Sequence, residues 1–157
     1  MIPRTVDLVV IGSGPAGLAA AISARKNGVK NLLIVERNNW LGGILPQCIH
    51  DGFGLEIFKE SLTGPEYAQK YIAEVMKLGI PCMTNSMALE LTPEKEVVVS
   101  SPKGLFVFHA KAIILAMGCR ERTRGQIRIP GSRPAGVYTA GVAQNLINLK
   151  NFMIGKN

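Results

Sequence analysis

The sequence predicts an α/β fold: a parallel sheet carrying helices, with a three-stranded antiparallel β-meander as the crossover. Three observations predict it. Val6–Ile11 is a largely β-branched apolar run that stops at Gly12 and gives way to an Ala-rich helical stretch. Three short segments between residues 87 and 108 alternate with the two-residue period of half-buried strands. Ala112–Ala116 is apolar throughout, as a strand covered on both faces would be.

The elements follow in order. After the strand at 6–11, Leu18–Lys26 reads as helix and Gly28 stops it; Leu32–Val35 is a second apolar strand closed by Glu36-Arg37. This completes a βαβ unit. Residues 44–62 show no period and predict an irregular segment. Thr63-Gly64-Pro65-Glu66 spells a capping box, and the helix it opens aligns Tyr67, Tyr71, Val75 and Leu78 before Gly79 ends it. In the meander, Met87, Leu89 and Leu91 share a face, Val97 and Val99 another, and Leu105 and Val107 oppose Phe106 and Phe108. Pro93-Glu94 and Pro102-Lys103-Gly104 make the turns. The apolar strand 112–116 then leads to an Arg-rich loop and a last helix with Val142, Leu146 and Leu149 near one side.

Composition narrows the functional classes. The 157 residues are 47% hydrophobic and 18% charged, which fits one globular domain and excludes a disordered tail or a fibre. Three irregularly spaced cysteines make neither a disulfide scaffold nor a paired zinc site, so a reducing, cytoplasmic setting is expected and no metal is assigned. No run of about 20 apolar residues predicts a membrane span, and Met1–Thr5 leads into the first strand without a signal-peptide core. The net charge of +7 is unevenly placed: residues 1–102 carry nine basic and ten acidic side chains, residues 103–157 nine basic and one acidic. Arg120, Arg122, Arg124, Arg128 and Arg133 are the densest part, yet no aromatic residues interleave with them and no nucleic-acid signature surrounds them, so no nucleic-acid partner is expected. A solvated loop, or a face for something that covers it, is the expected role.

The chemistry-bearing motif is Gly12-x-Gly14-x-x-Gly17 between a strand and a helix. Gly12 permits the turn, Gly14 lets the backbone approach a pyrophosphate, and Gly17 lets helix and strand pack closely. Pro15 and Ala16 fall in the first helical turn, where the missing Pro15 N–H costs little and the helix end attracts phosphate. Glu36, 24 residues after Gly12, stands where a carboxylate accepts from ribose hydroxyls and repels a 2′-phosphate. The bland alternatives are a packing turn and an exposed strand-end glutamate. Together these signals specify an adenine dinucleotide without separating FAD from NAD.

Asp7, the glycine fingerprint, Glu36 with Arg37, and the doublet Gly42-Gly43 resemble the N-terminal FAD-binding part of pyridine nucleotide-disulfide oxidoreductase-like flavoproteins of the glutathione-reductase type. Ala112–Gly118 resembles that family's second signature, an apolar strand ending in Ala-Thr-Gly, with Met117 in place of Thr; the meander fits its crossover and a turn-strand at 130–141 extends the match. The stretches from Gly42 to Gly54 and Gly118 to Arg122 are similar to an NAD(P)/FAD-dependent oxidoreductase subgroup. The resemblance implies a Rossmann-like FAD/NAD(P)-binding fold, FAD as cofactor and NAD(P)H as co-substrate. It implies cofactor contacts at Gly12, Gly14, Pro15, Ala16, Gly17, Glu36, Arg37, Gly42, Gly43, Ala116, Met117 and Gly118, with the segment through Cys48 on the flavin side. No catalytic residue is assigned.

The departures from the family pattern shape the functional expectation. Disulfide reductases carry a cysteine pair after the glycine doublet; here Cys48 stands alone, with Cys82 and Cys119 remote in sequence. A dithiol relay is therefore not expected, and Cys48 reads as a small packing residue before a redox thiol. Cys48-Ile49-His50-Asp51 has too few local ligands for a metal site, and His109 lies in a strand pattern. The family's nicotinamide-binding domain and its later Gly-Asp element are not found, so residues 1–150 are expected to be an incomplete FAD-binding domain and 151–157 the start of a linker. Expected partners are FAD and either that domain or another chain; little turnover is expected of this chain alone. A stand-alone NAD-binding module and a cofactor-free interaction remnant are the alternatives.

Overall fold

The computed structural model describes residues 4–156; Met1–Pro3, and Asn157 of the expected linker, lie outside the described residues. Its centre is β1 (Arg4–Ile11), hydrogen-bonded on both sides. The chain rises through β1, crosses by helix α1 (Pro15–Lys26), and returns parallel as β2 (Leu32–Val35), with Leu8 to Ile11 in register with Leu32 to Val35. The first predicted strand thus gains two residues and the helix starts earlier, at Pro15, whose fixed φ suits the first helical position.

Residues 44–62 hold one short 3-10 turn, Leu45–Gln47, and an isolated bridge between Phe53 and Leu62, and are otherwise irregular. Helix α2 (Gly64–Lys77) begins with the predicted capping box complete: the Thr63 side chain accepts from the Glu66 amide, and the Glu66 carboxylate accepts from the Thr63 amide at 2.8 Å. Val75 is fully buried, with Tyr71 and Leu78 beside it. Next comes β3 (Cys82–Met83), a two-residue strand parallel to β2 that is too short to show a period in the sequence.

β4 (Met87–Leu91) and β5 (Glu96–Ser101) pair antiparallel with a register shift between Ala88 and Glu90. One correction concerns the strand that follows. The third meander strand and the apolar strand at 112–116, read as separate, are one twelve-residue strand, β6 (Gly104–Leu115). Its first half pairs antiparallel with β5, from Ser101 opposite Gly104 to Glu96 opposite His109. From Phe108 onward it runs parallel to β1, ending with Leu115 opposite Ile11. The sheet is therefore continuous in the order β3-β2-β1-β6-β5-β4.

The two faces of that sheet are covered differently. Leu8, Val10, Leu32 and Ile34 pack under α1 and α2 against Leu18, Ala21 and Val75. On the opposite face, Val9, Ile11, Leu33 and Val35 pack against Val97, Val99 and Phe108, so the meander closes the second side of its own sheet. Leu115 and Met117 at the far end of β6 stay exposed.

Residues 130–139 form no strand, which corrects the expected turn-strand there. Pro130 and Pro134 cannot donate, and Gly131 and Gly136 take positive φ. Helix α3 (Ala140–Asn148) is the last element and has no fully buried residue; of its predicted apolar side Leu146 and Leu149 are half-buried, whereas Val142 is 47% exposed.

Candidate functional site

The glycine turn is assembled from three separate parts of the chain. Gly12, at the end of β1, takes a φ of +102° and donates to the Val35 carbonyl at 2.9 Å, while Ala116 donates to the Ile11 carbonyl at 2.8 Å. A Cβ on Gly12 would collide with the Ala116 carbonyl and lie 3.3 Å from Met117 Cα. A Cβ on Gly17 would run into the Gly12 carbonyl and sit 3.3 Å from Ala116 Cβ. Gly12 and Gly17 are thus glycine because strand, helix and the Ala116 turn press together there.

Gly14 has a different reason. Its φ of −66° is open to any residue, and a Cβ there would meet only Gly43 Cα, at 3.9 Å. The Gly42-Gly43 doublet lies directly against it: Gly42 donates to the Ser13 carbonyl at 2.9 Å, and a Cβ on Gly43 would come 2.7 Å from Gly14 Cα. Both doublet glycines hold positive φ, +108° and +61°. Gly14 is also the N-cap of α1, and no side chain caps that helix. α2, by contrast, is closed by its own box. The amide end of α1 is left for an anion, and the backbone at Gly14 leaves space for one to approach. These residues fit a dinucleotide pyrophosphate.

Glu36 is 5% exposed at the end of β2 and reaches back to the fingerprint. Its Oε2 accepts from the Ser13 amide at 2.9 Å and the Ser13 hydroxyl at 2.5 Å; its Oε1 accepts from the Asn38 amide at 2.8 Å. Three protein donors already occupy a group with roughly four acceptor positions. Oε1 keeps the spare one, which narrows the expected contact with both ribose hydroxyls to room for one more donor. Arg37 is exposed, as are Ala16, Met117 and Gly118, the last at a φ of +72° with nothing within 4 Å of its would-be Cβ.

Of the predicted site residues, the fold therefore gathers Gly12, Gly14, Pro15, Ala16, Gly17, Glu36, Gly42, Gly43 and Ala116 around one turn. Sequence reasoning passed over Ser13 and Asn38, which hold the Glu36 carboxylate, and Gln47, which is buried. A hydroxyl between two glycines was the available signal for Ser13; Gln47 had none.

The cysteines are free. Cys48 Sγ donates to the Ile44 carbonyl at 3.5 Å, and burial pushes its thiol up, away from a reactive thiolate. Cys82 is pushed further, to about 11, by the same cause. His50 is exposed and faces the Asp51 carbonyl; His109 lies 3.0 Å from Glu96. Among the described residues no group of three or more His, Cys, Asp or Glu is arranged to hold a metal, and no helix is long and apolar enough to cross a membrane.

Two open clefts lie nearby, the first bordering the outer side of Gly42 through Pro46 and Ala68. One of about 570 Å³ runs between α2 and residues 39–46, lined by Trp40, Leu41, Ala68 and Ile72; another of about 390 Å³ lies among Arg122, Arg124, Ile127 and Tyr138. Neither includes Gly14 or Gly43. Shape alone would point elsewhere, but the amide end of α1 and the Glu36 carboxylate supply the polar groups that fix a ligand, and they are at the glycine turn.

Known proteins match the chain along most of its length. The family model described as pyridine nucleotide-disulphide oxidoreductase matches residues 6–151. A thioredoxin reductase of Ureaplasma parvum is 32% identical over 117 residues, covering 74% of this chain and 36% of its own. An alkyl hydroperoxide reductase chain of Staphylococcus aureus is 28% identical over 128 residues, 80% of this chain and 23% of its own. Among solved structures, L-proline dehydrogenase from P. horikoshii superposes with a TM-score of 0.75 at 21% identity, over 99% of this chain and 31% of that one. Thioredoxin reductase from Streptococcus pyogenes gives 0.61 at 24% identity, over 78% and 38%. The chain spans about a third or less of the length of the curated relatives it matches.

Proposed function

The chain belongs to the pyridine nucleotide-disulphide oxidoreductase family, and we propose that within it the chain holds FAD by its ADP half, as the FAD-binding domain of an oxidoreductase. The observation that carries the proposal is the pairing of Gly14 with Gly43 beneath the uncapped end of α1. The pyrophosphate lies along that glycine pair and accepts from the first amides of α1, where the helix end favours negative charge. Glu36 accepts from a ribose hydroxyl through Oε1, and its charge disfavours a 2′-phosphate. Ala16, Arg37, Met117 and Gly118 border the cofactor, and residues 44–48 lie toward the flavin.

Bound FAD supplies hydride transfer to and from NAD(P)H or a reduced substrate; the protein supplies orientation and electrostatics. No side chain at the turn is placed as a general base. Cys48, with its thiol pushed up by burial, takes no part in a dithiol relay. One fingerprint serves one dinucleotide, so NAD(P)H meets this domain from a second domain or a partner chain and turnover by these residues alone is low. Three free cysteines favour a cytoplasmic setting.

The test is a titration of the purified chain with FAD, followed by visible absorption and flavin fluorescence, and repeated with NAD as competitor. A bound-flavin spectrum that NAD fails to displace supports the proposal. Tight NAD binding without FAD binding would make the chain an NAD-binding module, and binding of neither would leave an interaction domain.

A further inference from the structure

Helix α3 has no fully buried residue and is tied to the rest of the protein by hydrogen bonds; Val142 and Ile147 are each 47% exposed. Its start is held by the Glu121 carboxylate, which accepts from the Thr139 hydroxyl at 2.6 Å and the Gly141 amide at 2.8 Å. Its second anchor is Gln47, a buried polar side chain on the 3-10 turn. Gln47 Nε2 donates to the Gly141 carbonyl at 3.1 Å and to Gln144 Oε1 at 2.9 Å, and Gln47 Oε1 accepts from Asn145 Nδ2 at 3.0 Å. The Gln47 carbonyl accepts from Asn148 Nδ2 at 2.8 Å. Three of the carboxamide's four hydrogen-bonding places thus point at one helix.

The same residue is the end of the glycine-doublet turn. Gln47 donates its amide to the Ile44 carbonyl at 3.1 Å, Leu45 donates to Gly42 at 3.2 Å, and Gly42 donates to Ser13 inside the fingerprint at 2.9 Å. Gly43 rests on Gly14. A short unbroken series of contacts therefore runs from α3 to the turn that faces the dinucleotide.

We propose that Gln47 joins α3 and the Gly42–Gly43 turn into one cooperative unit, so that a dinucleotide seated on Gly14 and Gly43 and the docked α3 stabilise each other. The ligand half rests on the FAD reading above. The two states are α3 docked on Gln47 and α3 released with its amides in water, a cheap opening for a helix with no fully buried residue. Linkage makes the effect reciprocal: whatever FAD adds to docking, docking adds to FAD affinity. Gln47 acts as a positioning residue, through the Gly42–Gly43 turn.

Hydrogen exchange on the full chain tests this in two arms. Without ligand, Gln144→Ala, Asn145→Ala and Asn148→Ala together remove three of the four hydrogen bonds between Gln47 and α3 and leave Gln47 itself unaltered. Exchange at residues 140–148 reads how far α3 opens. The amides of residues 42–48 should then exchange about fivefold faster or more; wild-type rates there, with α3 itself opened, would overturn the coupling. With FAD, and its bound fraction read by flavin absorption in the same sample, residues 140–148 should exchange about fivefold more slowly in the wild type and be unaffected in Gln47→Leu. Bound FAD that leaves α3 unprotected, or protects it equally in Gln47→Leu, would overturn the ligand half. Failure of FAD to bind at all would overturn the FAD reading itself, and the ligand-free arm then decides the coupling on its own.

Discussion

Gly12, Gly14 and Gly17 look equivalent as a spacing and are not equivalent as atoms. Gly12→Ala places a Cβ at a φ of +102° against the Ala116 carbonyl, so it should lower unfolding stability by about 3 kcal/mol or more. Gly14→Ala meets only Gly43 Cα at 3.9 Å and should keep stability within about 1 kcal/mol of the wild type while FAD affinity falls at least about tenfold. Urea denaturation and flavin titration of the two variants separate the roles; loss of stability in Gly14→Ala would assign that glycine to packing as well. The cysteines make a second test at this scale. Iodoacetamide should label exposed Cys119 first, half-buried Cys48 more slowly and Cys82, pushed up to about 11, last. Mass spectrometry of a labelling time course reads the order directly. The glycine spacing was legible because a tight strand-to-helix turn restricts residue type at fixed offsets, and Glu36 because it closes an apolar strand. Ser13 and Gln47 were not, because a polar side chain becomes buried through the partners that folding brings to it, 23 positions away for Ser13 and up to 98 for Gln47. Asn38 reaches Glu36 only through its backbone amide, which no residue type signals.

Among the elements, those with local signals came through and those made by distant pairing did not. The capping box at Thr63 is such a local signal, and Thr63→Ala should cost about 1 kcal/mol, seen as a lower urea midpoint with unchanged FAD affinity. β2 runs over Leu32–Val35 as its four apolar residues predict. β6 was split in the sequence reading because an alternating pattern changes to a continuous apolar one near His109. That change marks where the partner switches from β5 to β1, not where the strand ends. The apolar run is not covered on both faces as expected, because Ala112 and Leu115 are exposed and Ile113 and Ile114 only half-buried; its pattern changes with the partner strand. The apolar positions of α3 are legible, and Leu146 and Leu149 are half-buried, but its contacts to Gln47 leave no periodic trace.

For the molecule as a whole, pH sets how much its surface pairs contribute. Asp7 is held below the ordinary carboxylate range chiefly by the hydrogen bond from Lys111, Glu66 by the Thr63 amide, Glu74 by Lys26 and Glu121 by the Thr139 hydroxyl. Each folded value lies below the unfolded one, so these contributions are present above the unfolded values and are lost as pH falls through the folded ones. Lys111 is raised by Asp7, so its share is present below the ordinary lysine value of 10.5 and lost as pH rises through the raised one. The urea midpoint should therefore stay level between about pH 6 and about pH 9, and decline in acid below the ordinary glutamate value of 4.5. Salt should blunt the effect, because the pairs are exposed. A midpoint that rises on acidification would contradict it. The unbroken β6 also has a consequence for how the chain matures. During synthesis β1 leaves the ribosome early with β2 as neighbour, but its other edge waits for residues 108–115, about a hundred positions later. Until Ala116 emerges, the Gly12 turn lacks the carbonyl that confines it. The nascent chain therefore completes its glycine turn late, and a ribosome stalled before residue 116 would display a βαβ unit whose turn is not yet confined.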